Sequence, residues 1–163
     1  MGTVMNKALI PYEVRWARTE EWKPAIMMIW KTFLKYEGEI YTREGIENFY
    51  EFISDDQLYQ AFLNGKYLMM VALDADRVIG AATVRDHNHL SLLFVDGEYH
   101  SRGVGSALLN RICKYLKQEE GERYISLNAA PCAVDFYRKL GFRAVRPESE
   151  YSGIRVTSME KIL

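Results

Sequence analysis

Apolar residues recur along this chain with two different periods, and the switches between them mark its elements. Val14 to Arg18 predicts a first strand. Thr19 is placed to cap a helix in which Trp22, Ile26, Ile29, Trp30 and Phe33 return at helical spacing, with Pro24 tolerated in the first turn. Gly38 should end that helix. A second helical region spans about Thr42 to Asn64 and is expected to break at Ser54-Asp55-Asp56, where Ser or Asp can cap a fresh start.

After Gly65 the pattern changes to strands. Tyr67 to Leu73, a tight turn at Asp74-Ala75-Asp76-Arg77 and Val78 to Arg85 predict a hairpin, and His89 to Val95 predicts a further strand. Strict alternation along that strand places His87, His89, Ser91, Leu93 and Val95 on one face and Leu90, Leu92 and Phe94 on the other. A long amphipathic helix follows, with Val104, Leu108, Ile112 and Leu116 along one face and Gly121 closing it. Tyr124 to Asn128 reads as a short buried strand and Pro131 to Leu140 as a helix ended by Gly141. From Phe142 onward a last pair of strands is expected, ending in Val156 to Ile162. The order β-α-α-β-β-β-α-β-α-β-β is an α/β (α+β) pattern of about seven strands and four helices, with a strand-helix-strand unit at its centre.

Length and composition narrow the classes. The 163 residues suit a single domain over 1–163, with 1–11 read as a flexible N-terminal extension. Basic and acidic residues nearly balance, 21 against 22, which argues against a nucleic-acid partner but leaves room for a local cluster that holds a polyphosphate. The longest apolar stretches, Ala25 to Trp30 and Tyr67 to Leu73, fall short of the roughly 18 to 20 residues that span a bilayer, so no membrane partner is expected. Met1 to Pro11 has no long apolar stretch of the kind a secretory signal carries. Cys113 and Cys132 sit in no CxxC pair or histidine cluster and read as free thiols of a cytoplasmic protein, with no metal.

The chemistry-bearing stretch is Asp96-Gly97-Glu98-Tyr99-His100-Ser101-Arg102-Gly103-Val104-Gly105-Ser106, between a strand and a helix. Such a turn aims backbone N–H groups and the positive end of the helix dipole at one point, an anion site. Gly103 and Gly105 carry no Cβ to hold a phosphate off the backbone, and Arg102 adds a charge nearby. A Walker loop is absent, and a dinucleotide fingerprint would need a third glycine or alanine where Leu108 stands. Downstream runs Leu127-Asn128-Ala129-Ala130-Pro131-Cys132-Ala133-Val134-Asp135-Phe136-Tyr137-Arg138-Lys139-Leu140-Gly141-Phe142.

Taken together the two stretches resemble the GNAT superfamily of N-acetyltransferases. Its pyrophosphate loop reads Gln/Arg-x-x-Gly-x-Gly/Ala, and a later segment often reads Ala-x-x-Phe-Tyr-x-Lys-Leu-Gly-Phe. Ala133 to Phe142 has every fixed position of the second, while the first fits at Gly103 and Gly105 and departs at His100. The resemblance covers about Val14 to Leu163, and Gly153 to Glu160 looks like the closing strands of a bacterial branch of uncharacterised members. It implies a mixed sheet splayed between its fourth and fifth strands, with the pantetheine arm of acetyl-CoA in the split. By correspondence, the backbone of Leu93, Phe94 and Val95 would bond the pantetheine and polarise the acetyl carbonyl. His100, Ser101, Arg102, Gly103, Val104, Gly105 and Ser106 would hold the pyrophosphate, and Asn128 would contact the arm.

Direct transfer also needs a proton acceptor for the amine and a proton for the leaving thiolate. Tyr137 matches the tyrosine that serves as general acid in many relatives. His89, four residues before Leu93, is a candidate base, and a water relay to Glu37, Glu39 or Glu98 is the alternative. Tyr36, Glu37, Glu39 and Tyr41 lie in a loop that would suit a cationic amine, although a plain solvated loop has the same composition. The expected partner is a small-molecule or peptide amine, with a homodimer left open. A non-catalytic acyl-CoA sensor or inactive partner subunit is the competing function.

Overall fold

The computed structural model describes residues 10–151 and 153–163. The N-terminal extension expected over residues 1–11 therefore lies, up to residue 9, outside the described residues. Ile10 itself packs against the core.

Among the described residues eight strands form the sheet: β1 (Glu13–Trp16), β2 (Leu68–Asp74), β3 (Arg77–Arg85), β4 (His89–Val95), β5 (Tyr124–Ala129), β6 (Arg143–Ala144), β7 (Ser149–Tyr151) and β8 (Ile154–Ile162). Their order is β1-β2-β3-β4-β5-β8-β6, with β7 pairing β8 off this path. Helices α1 (Trp22–Glu37), α2 (Arg43–Ser54) and α3 (Asp56–Leu63) cover one face, and α4 (Val104–Gln118) and α5 (Val134–Lys139) the other. No described helix is long and apolar enough to cross a membrane.

Each face of the sheet carries its own core. On one, α4 buries Val104, Leu108, Leu109, Ile112 and Leu116 almost completely, each side chain contributing about 1.5–3 kcal/mol. Gly80 on β3 lets this helix approach: a Cβ there would lie 3.0 Å from both Val104 and Leu108. On the other face, Ala25, Ile29 and Phe33 of α1 and Phe49 and Ile53 of α2 pack over Val71, Ala81 and Leu92.

The break between α2 and α3 falls at Asp55, whose carboxylate accepts from the Gln57 N–H at 2.9 Å and so caps the second helix. Three expectations need correction. Thr19 does not cap α1: it opens a 3-10 turn, Thr19–Glu21, with Arg18 at its N-cap and the Glu21 carboxylate accepting from the Arg18 N–H. The closing pair of strands is three, because β6 is a two-residue exposed strand with no hydrophobic alternation to announce it. The faces of β4 also do not alternate strictly, for a reason that shapes the site.

Candidate active site

In the β3–β4 ladder Thr83 opposes Leu92 while its neighbour Val84 opposes Leu90, so Ser91 is an extra residue, a β-bulge. The bulge reverses the side-chain order. Leu90, Leu93 and Val95 pack toward α4, whereas Leu92 and Phe94 pack toward α1 and α2. The Ser91 hydroxyl accepts from the Tyr67 phenol at 2.9 Å.

The pairing with β5 ends at the same point. That parallel contact consists of His89 opposite Ser126 and Leu90 opposite Leu127, and beyond it the two strands diverge. Antiparallel partners alternate between bonded and non-bonded pairs. Because the Asp96 N–H donates to the Ile79 carbonyl at 2.8 Å, Phe94 exchanges its bonds with Ala81, while Leu93 and Val95 turn their N–H and C=O groups toward the opening. Of the three residues whose backbone was expected to meet a ligand, Leu93 and Val95 direct theirs away from β3 and Phe94 belongs to the ladder.

The opening is a cleft of about 610 Å³ whose lining includes Leu93, Phe94, Asn128, Tyr137, Glu37 and His89. The glycine loop follows directly from β4. His100 turns back and donates from Nε2 to the Val95 carbonyl at 2.6 Å, beneath the Tyr36 ring at a centroid separation of 4.7 Å. Ser101 and Gly103 take left-handed backbone conformations, φ +61° and +81°. No side chain caps the first turn of α4, so the N–H groups of Val104, Gly105 and Ser106 have no side-chain acceptor. A Cβ on Gly105 would press on Phe136 at 3.3 Å. These features fit an anion with several oxygens. Arg102 points elsewhere, donating to the Tyr12 phenol at 3.0 Å and covering the Tyr99 ring.

Tyr137 comes from α5, wedged edge-on between Phe136 and Phe142, and is buried. Burial, reinforced by the charges of Glu37 and Cys132, pushes its phenol above the usual tyrosine range, so it stays protonated. Asn128 accepts the Ser158 hydroxyl on Oδ1 at 2.9 Å, which leaves its amide N–H groups for another partner.

The other candidates separate. His89 stands where β4 and β5 are still paired, its Nδ1 2.8 Å from the Ser126 hydroxyl. Burial, and then the Arg85 charge, push its imidazole down to about 4, which keeps it neutral but makes it a weaker proton acceptor than an ordinary histidine. Glu98 is on the surface, bonded to Arg77, and Glu39 is exposed outside the cleft lining. Tyr36 covers the glycine loop. Glu37 and Tyr41 remain in the cleft, the Tyr41 phenol donating to the Glu37 carboxylate at 3.2 Å. Burial raises the Glu37 carboxyl above the usual range, partly offset by that hydrogen bond. Sequence reasoning placed Glu37 in a loop; its position at the last turn of the amphipathic α1 was the signal that it could face inward.

This sheet, split at its centre above a glycine-rich helix start, is that of the acetyltransferases: the chain belongs to the GNAT family, whose acetyltransferase (GNAT) domain model matches residues 38–163. Among curated proteins it is 31% identical over 91 residues, 54% of this chain, to an uncharacterised N-acetyltransferase of Methanocaldococcus jannaschii. It is 34% identical over 64 residues, 39% of this chain, to the uncharacterised N-acetyltransferase YafP of Escherichia coli. The matched segments span 39% of each curated relative's length. Among solved structures, a GCN5-related N-acetyltransferase from Rhodopseudomonas palustris superposes with TM-score 0.81 at 22% identity, covering 95% of this chain and 98% of that one. The PaiA N-acetyltransferase of Thermoplasma acidophilum, in complex with coenzyme A, gives TM-score 0.78 at 22% identity, covering 94% and 100%.

Proposed function

We propose that the protein is an acetyl-CoA-dependent N-acetyltransferase that moves the acetyl group to a primary amine by direct transfer in a ternary complex. The observation that carries this reading is the divergence of β4 from β5 past Leu90, which leaves the Leu93 backbone facing a cleft that Tyr137 also lines. The coenzyme A bound by the Thermoplasma relative supports it.

In this reading the first-turn N–H groups of α4 hold the pyrophosphate, with Gly103 and Gly105 allowing close approach. Leu93 and Val95 bond the pantetheine amides, the Asn128 amide meets the same arm, and the Leu93 N–H faces the acetyl carbonyl, where negative charge develops. Acetyl-CoA supplies the activated thioester. Tyr137, held protonated, gives its proton to the departing thiolate. Two free thiols, at Cys113 and Cys132, suit the reducing cytoplasm in which we place it, as one domain over 1–163.

Release of free thiol from acetyl-CoA, followed over a panel of primary amines, tests the reading. We expect turnover with at least one amine, and a loss of kcat of roughly 100-fold or more in Tyr137→Phe with coenzyme A affinity unchanged. Tight acetyl-CoA binding without turnover on any amine would make the protein a non-catalytic acyl-CoA sensor.

A further inference from the structure

The cleft extends beyond the part assigned to acetyl-CoA, and this second half has a definite chemistry. Phe33 and Phe49 from the helices, Phe52 beside them, and Tyr151 and Ile154 from the β7–β8 hairpin give it apolar and aromatic walls. The hairpin closes over it at Gly153, whose carbonyl accepts from the Thr42 hydroxyl at 3.4 Å. A Cβ on Gly45 would lie 2.3 Å from that same carbonyl, so the contact is backbone against backbone. Among the described residues Glu37 is the one acidic side chain in the cleft lining, against two arginines, Arg85 and Arg146.

We infer that the acceptor is a monoamine on an apolar or aromatic body, and that Glu37 takes the proton from its ammonium group. This rests on the acetyltransferase reading above. A single carboxylate among aromatic rings matches one cationic head on an apolar body. A polyamine would bring further positive charges against Arg85 and Arg146 with no second carboxylate to receive them. Tyr41 fixes the Glu37 carboxylate from one side by its 3.2 Å hydrogen bond and leaves its other lone pairs for the ammonium.

The step balances as follows. The ammonium gives one proton to the Glu37 carboxylate, and the neutral nitrogen attacks the carbonyl of the acetyl thioester. A C–N bond forms and the C–S bond breaks, and the thiolate takes the Tyr137 proton. The amide nitrogen returns its second proton to the Tyr137 phenolate, and Glu37 releases its proton to water. The other titratable or charged groups described around Glu37 are Tyr41, Tyr137 and Cys132, with His89, Arg85, Arg146 and Tyr151 along the cleft.

The test uses 2-phenylethylamine and spermidine as acceptors. Wild-type kcat/KM should be at least tenfold higher for 2-phenylethylamine, and flat with pH from just above the carboxylate range to the ammonium's own pKa, ~10. Glu37→Gln should lose roughly 100-fold or more at neutral pH. Its rate should then climb tenfold per pH unit toward the ammonium pKa, because only amine already deprotonated in solution reacts. Its coenzyme A affinity should stay within twofold of wild type, and Glu37→Asp should restore the flat profile at a lower rate. A Glu37→Gln profile that stays flat at the wild-type rate, a flat profile missing in Glu37→Asp, or preference for spermidine would overturn the inference and leave the acetyltransferase reading standing. Coenzyme A binding with no turnover of any amine in the wild type would overturn both.

Discussion

The His100 imidazole donates to the Val95 carbonyl across 2.6 Å, so the loop is tied back onto the last residue of the strand it leaves. This histidine occupies the position where the family resemblance leads one to expect glutamine or arginine. Its side chain bonds protein backbone, and so helps to hold the loop in shape.

From that contact follows a prediction on affinity. His100→Ala should weaken coenzyme A binding roughly fivefold, the equivalent of one ordinary hydrogen bond of about 1 kcal/mol. His100→Gln, whose amide can donate to the same carbonyl, should recover most of the loss. Calorimetric titration of both variants measures the difference; equal affinity in His100→Ala and wild type would show that the loop holds its shape without the bond.

The two loop glycines should respond differently to alanine. Gly103 has φ +81° and open space around an added Cβ, with Ile10 at an ordinary 3.5 Å. Gly103→Ala should therefore cost about 1–2 kcal/mol of conformational strain and lower the denaturation midpoint. Gly105 is under no such backbone demand, but its Cβ would meet the exposed Phe136 ring at 3.3 Å. Gly105→Ala should leave stability within about 0.5 kcal/mol of wild type, provided that ring shifts by a few tenths of an ångström. Urea denaturation of the pair separates strain from crowding.

His89 predicts a pH dependence of stability. Its folded pKa is pushed down to about 4 by burial and by Arg85, against about 6.5 in the unfolded chain. The neutral ring therefore stabilises the fold above pH ~6.5, and that contribution is lost as pH falls through the window toward ~4. The ring is partly exposed, and after allowing for solvent screening the loss is about 1–2 kcal/mol. The raised Glu37 carboxyl works with the opposite sign there, since its protonation on acidification favours the folded state. The measurement is thus the difference between wild type and His89→Gln, which should converge as pH drops from 7 to 4. Parallel curves would contradict the shift.

Much of this architecture is legible in the amino-acid sequence. The spacing of Trp22, Ile29 and Phe33 marked α1, and Asp55 marked the break between α2 and α3, because both signals are local. His89 to Val95 was bounded correctly as a strand. Its faces were not, since a bulge is set by the register against β3, which no single strand encodes. Tyr137 and the glycines could be found because a motif holds them at fixed separations. Glu37 could not be placed in the cleft, because its neighbours Tyr137 and Cys132 lie about a hundred residues away and only the folded sheet brings them together. Arg102 shows the opposite case: it lies in the loop, yet it donates to Tyr12, 90 positions away, a contact that sequence spacing does not announce.

The extra residue at Ser91 leaves a sheet unfinished in its middle, where a protein would ordinarily zip two strands together. Leu93 and Val95 sit there as a half-made ladder, and what completes it must itself be extended, with donors and acceptors spaced like a peptide. Without that one serine the β3–β4 ladder would keep an even register. The one irregular residue of the β3–β4 ladder thus stands beside the point where β4 and β5 part, at the centre of the sheet.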